Sequence, residues 1–157
     1  MTVNSSLCYR CLTNSFGTRE LTPFSGDKML SAISVEIAPG KLIDRITILE
    51  IKLEHMDDPD KLKNVGADLE TLAEARDGAI ALSPQLDKVT AELKKINIRI
   101  WRIEDNIREC EWARDFGPAF IKLARAVYFS NDKRAALKRG INELLGSRPI
   151  EEKSYAA

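Results

Sequence analysis

Residues 41–56, KLIDRITILEIKLEHM, space Leu42, Ile46, Leu49, Leu53 and Met56 by four, three, four and three residues, the recurrence of one face of an α-helix. Ile43, Ile48 and Ile51 fall on the other sides of that helix. A helix that is apolar nearly all round is contacted from several directions, so this segment reads as the central helix of a bundle and not as half of a two-stranded zipper.

Working outward, Asp58-Pro59 ends this helix and starts a second, with Asp58 as cap, Pro59 in the first turn, and Leu62, Val65, Leu69 and Leu72 as its seam. Ser83-Pro84 repeats the start signal. Leu86, Val89, Leu93, Ile96, Ile100, Ile103, Ile107 and Cys110 then alternate three and four, marking a helix of about eight turns with coiled-coil character. DFGPAF, residues 115–120, breaks it, and Pro118 restarts a helix through Phe120, Ile121, Ala124, Val127 and Tyr128. Asn131 or Asp132 is expected to cap a further helix carrying Leu137, Ile141 and Leu144, with Gly146 just past its end.

Upstream, Ile33, Val35 and Ile37 alternate with Ser34 and Glu36, the period of a half-buried strand. Pairing of 33–37 with the segment around 149–153 would make a two-stranded clasp joining both chain ends. The expected fold is mainly α: an antiparallel helical bundle of four to five helices with one long central helix and this short β clasp. Residues 1–28, rich in Ser, Thr, Asn and Gly, read as a disordered extension, and 29–157 as a single helical domain. Met29 is a candidate natural start.

With 157 residues, 24 Lys plus Arg and 24 Asp plus Glu, the chain has no net charge to gather nucleic acid or an anionic membrane. No apolar run reaches the roughly 18 residues of a membrane span, and none has signal-peptide length, so the expected location is the cytoplasm. Cys8 and Cys11 form a single CxxC, short of a four-ligand zinc site, and Cys110 lies on a helix seam. His55 is the only histidine, and residue 52 is Lys, so neither a two-histidine metal site nor a Glu-x-x-His di-iron motif is available. The glycines are scattered and form no phosphate loop. No cofactor and no metal are expected, and the balance leans away from an enzyme.

Two surfaces stand out. Asn97, Trp101, Glu104 and Arg108 are spaced four, three and four, and Trp112 continues the stripe. Glu104 and Arg108 suit an i,i+4 ion pair, and Arg108 can reach Trp112 for a cation–π contact. Trp and Arg favour interface centres, which makes this stripe a candidate partner or self-association surface; the alternative is that both indoles cap the bundle edge. Lys133, Arg134, Lys138 and Arg139 cluster near the end, either to hold phosphate or as a solvated helix face.

The Ile43-Asp44-Arg45 opening, followed by aliphatic spacing, loosely looks like the first helix of all-helical chorismate mutases. That resemblance implies cations converging on a dicarboxylate in a dry site, and Lys41, Arg45 and Lys52 share one stripe, with Arg99, Arg102 and Arg108 available from the long helix. More extensively, KLIDRITILEIKLEH, WRIEDNIRE, DFGPAFIKLARAVYFSNDKRAALKRGINELLGS and EEKSY resemble an uncharacterised family of small bacterial proteins, a domain of unknown function, over about residues 33–155. Similar sequences begin near Met29, and Gly140 stands where a helix-favouring polar residue is more usual. The resemblance implies no reaction and carries no catalytic residue. It draws attention to Asn131, Asp132, Arg134, Lys138 and Asn142. The expected function is therefore protein–protein interaction, with a second copy or another protein as partner. The alternative is a small-molecule binding protein or enzyme with a cation-lined pocket, for which Arg45, Lys52, Arg102, Asn131, Arg134 and Lys138 are the candidate contacts.

Overall fold

The structure, a computed structural model, describes residues 35–147. Four helices occur among them: α1 (Pro39–His55), α2 (Pro59–Ala79), α3 (Pro84–Ala113) and α4 (Pro118–Leu144). Each has proline in its first turn, where the missing N–H lacks an intrahelical partner in any case. Asp58 caps α2, its Oδ1 accepting from the amides of Asp60 (3.1 Å) and Lys61 (3.2 Å). These bonds, together with the Lys61 side chain, hold the Asp58 carboxyl below its ordinary pKa. Ser83 caps α3 through the Leu86 amide at 3.2 Å. Gly146, at φ +62°, closes α4 in the left-handed region that favours glycine.

α1 touches each of the other three helices, as its all-round apolar character requires. Ile43 and Ile51, outside the simple seam, are its most buried isoleucines, while Leu53 on the seam is half exposed. α2 leans on α1 alone among the helices. α3 and α4 form a hairpin in which Leu86 and Leu93 from the start of α3 meet Ile141 from the end of α4, with Ile43 of α1 completing the cluster. α1 is thus the central helix and α3 the longest, two roles that differ from a single long central helix.

One expectation is corrected. α4 runs unbroken through Asn131 and Asp132, so there is no fifth helix among the described residues. Ser130 is buried and Arg134 is anchored to Asp44, which holds both sides of the would-be cap in one continuous helix; a capping preference is overridden when its neighbours are packed in helical register. Residues 35–38 form no strand, and the other side of the clasp, 149–153, lies outside the described residues, as do 1–28, Cys8 and Cys11. Among the described residues no helix is long and apolar enough to cross a membrane.

Candidate functional site

The isoleucine-rich face of α1 is interrupted by Asp44, whose side chain is only 7% exposed. A buried carboxylate is costly unless paired and hydrogen-bonded. Arg134 of α4 meets it in bidentate fashion, Nε donating to Oδ1 at 2.8 Å and Nη2 to Oδ2 at 2.7 Å. Asn97 of α3 donates from Nδ2 to Asp44 Oδ1 and to Thr47 Oγ1, both at 3.0 Å. The Thr47 hydroxyl donates in turn to the Asp44 carbonyl at 2.9 Å. Both Asn97 amide hydrogens are engaged, so the network closes on itself and fixes the azimuth of all three helices.

One turn earlier, α1 begins without a side-chain cap of its own. Asn142 of α4 supplies one, its buried Oδ1 accepting from the Gly40 amide at 2.7 Å. A Cβ on Gly40 would run into the Lys138 carbonyl and lie 2.8 Å from Asn142 Oδ1, so only glycine lets the two helices approach this closely.

Beside this network a cavity of about 310 Å³ opens between α1, α3 and α4. Ile48, Ile51, Ile100 and Trp101 give it apolar walls, and Lys52, Asn97, Glu104, Arg108 and Arg134 give it a polar rim. The Trp101 ring is braced by His55, centroids 5.7 Å apart, and His55 Nδ1 donates to the Ile51 carbonyl at 2.9 Å. Lys94 ties α3 to α1 nearby, 2.9 Å from Glu50 and 2.8 Å from Glu54. Bonding to Glu54 and then Glu50 raises the Lys94 pKa, and the Lys94 hydrogen bond holds Glu54 below its ordinary value.

The two groups of residues singled out from sequence therefore meet at one place. Asn97, Trp101, Glu104 and Arg108 of the stripe line the cavity with Lys52 and Arg134 of the cationic group. Asn97 is internal, at 5% exposed, and belongs to the core. Trp112 is 79% exposed and stands apart near the end of α3. Arg108 pairs with Asp105 (3.4 Å) and Glu104 (3.8 Å), and no cation–π contact with Trp112 occurs among the described residues. Arg45 is exposed beside Asp68 and Arg102 is exposed, both outside the cavity, so Arg45, Lys52 and Arg102 do not converge. Asn131 and Lys138 are half-buried on α4 and do not line it.

Sequence reading missed Asp44, Thr47 and Gly40 as site residues. The signal was present: Asp44 shares a four-and-three spacing with Ile48 and Ile51, as Asn97 does with Leu93 and Ile100, and a polar residue inside an apolar stripe marks a buried polar contact.

No curated protein and no solved structure matches the chain. The family of unknown function DUF6165 matches residues 33–157, a span that holds all four helices and every residue of the Asp44 network. The chain belongs to that family.

Proposed function

We propose that this is a self-associating helical protein in which the distal half of the α3/α4 hairpin pairs with the same half of a second copy. The observation that carries the reading is that no residue from Glu104 to Phe129 is buried, whereas Ile103 and Ser130 on either side of that stretch are. The arm is nonetheless apolar. Trp112, Phe116, Ile121, Tyr128 and Phe129 are each about half or more exposed. Two helices alone bury only the seam between them, and an apolar stripe left over needs another layer.

A second copy fits by charge. From Glu104 to Glu111, α3 carries Glu104, Asp105, Glu109 and Glu111 against Arg108 alone, whereas α4 from Pro118 to Ser130 carries Lys122 and Arg125 and no carboxylate. A two-fold pairing sets the acidic α3 of each protomer on the basic α4 of the other, satisfying both contacts at once. A groove of about 410 Å³, lined by Pro118, Ile121, Ala126 and Phe129 with Arg99, Lys122 and Arg125, offers the apolar seat. The result is a four-helix arrangement of two hairpins. Of the stripe read from sequence, Glu104, Arg108 and Trp112 belong to this arm.

Amide hydrogen exchange at low and high protein concentration tests the reading. Protection should rise with concentration within residues 104–129 and stay constant around Asp44; equal protection at both concentrations would contradict it. The small-molecule alternative is favoured by a separate observation, the cavity beside Asp44, and does not depend on the arm.

A further inference from the structure

The geometry points to the cavity between α1, α3 and α4 as a binding site for a small organic monoanion with a flat apolar body, such as an aromatic carboxylate. Its polar rim is charge-matched at every position but one. Arg134 is held by Asp44, and Arg108 lies against Glu104 and Asp105. Lys52 lines the same cavity, half-buried, and has no ion pair among the described residues. Its neighbours along α1 differ in this respect, since Arg45 is paired with Asp68, and Glu50 and Glu54 with Lys94. Those two carboxylates are held by Lys94 on α3, which leaves the ammonium of Lys52 to face the cavity.

The rest of the lining defines the ligand body. Ile51 and Ile100 are buried at 1% and 7% exposed, so the floor is dry, and the Trp101 ring, steadied by His55, provides a flat stacking face. The volume of about 310 Å³ lies at the lower end of small-ligand sites, which run from roughly 300 Å³ upward. A single unmatched cation selects one negative charge, and Glu104 on the rim opposes a second. Inorganic phosphate is disfavoured because the apolar floor gives it no contact. The closed Asp44–Asn97–Thr47–Arg134 network holds the polar wall in place before any ligand arrives, so little ordering accompanies binding.

The test uses the full chain carrying Trp112→Phe, which leaves Trp101 as the sole indole. Benzoate is titrated while the Trp101 indole N–H resonance is followed, with benzyl alcohol as the neutral probe of the same shape. Benzoate should shift that resonance saturably and bind at least about tenfold tighter than benzyl alcohol, the size of one charge-assisted contact. Lys52→Gln should remove that preference and Lys52→Arg keep it, both with an unchanged melting temperature because Lys52 makes no ion pair among the described residues. Equal affinity for the two probes, or an unaltered benzoate preference in Lys52→Gln, overturns the assignment. Lys52 and Trp101, the two residues read out, lie outside the 104–129 arm, so this test and the hydrogen-exchange test can fail separately.

Discussion

At its base the α3/α4 hairpin grips α1 through Leu93, Ile141, Asn97 and Arg134, all but the last nearly inaccessible to water, whereas from Glu104 to Phe129 the same two helices only half-bury the seam between them. Helix type and regularity are the same in both regions; what differs is the number of layers. α1 is 17 residues long and α3 is 30, so α1 cannot cover the whole hairpin. Side chains at the base became core because a third helix lies on them. Those of the arm, equally apolar at Ile121 and Phe129, remain at the surface for want of one. Stability is therefore concentrated at the base, and the arm is the region whose apolar side chains are left uncovered.

The largest expected effect comes from breaking the base. Arg134→Met leaves the Asp44 carboxylate buried without its partner, and denaturant unfolding should show a loss of about 3–5 kcal/mol. Adding Asp44→Leu should recover most of it, since removing both charges spares the desolvation. A double variant as unstable as Arg134→Met alone would mean the network acts through something other than the buried charge.

The next comparison sets two glycines of the same region against each other. Gly40→Ala forces α1 away from the Lys138 carbonyl and disturbs the Asn142 cap, and should cost about 1–3 kcal/mol. Gly140→Ala meets open space near the C-terminal end of α4 and should stabilise by up to about 1 kcal/mol. Thermal melts of both variants check the opposite signs.

The smallest effect is electrostatic. Glu54 is held below its ordinary pKa chiefly by the Lys94 hydrogen bond. A carboxyl with a depressed folded value contributes stability that is fully present above its unfolded value and lost as pH falls through the folded one. Lys94→Met should therefore lower stability modestly at neutral pH, where Glu54 is ionised folded and unfolded, and change it little at the acid end, where Glu54 is protonated in both states, so that the acid side of the profile flattens. Unfolding measured from neutral to acidic pH distinguishes this from a uniform loss. The group is exposed, so the change is modest and weakens with salt.

Much of the base was legible in the sequence because its signals are local. Asp58-Pro59, Ser83-Pro84 and Gly146 each act within a few residues, and the isoleucines around α1 require neighbours on several sides whatever those neighbours are. The Asn131 break failed for the converse reason: Ser130 and Arg134 hold α4 straight through contacts that the local sequence does not reveal. Asp44 and Arg134 are 90 residues apart, and no spacing rule pairs them. The cavity was half visible. Lys52, Trp101 and Arg108 were singled out for separate reasons, and only the crossing of α1 over α3 brings them to one rim, while it leaves Arg45 and Arg102 outside.

Sedimentation equilibrium of the full chain and of the Ile121→Glu/Phe129→Glu variant tests the contrast between base and arm most directly. Both substitutions lie on exposed arm positions, so the variant should melt like the parent. The parent should sediment at twice 17.6 kDa and the variant at 17.6 kDa. A parent that stays at 17.6 kDa at high concentration, or a variant that still sediments at twice that mass, would contradict the account.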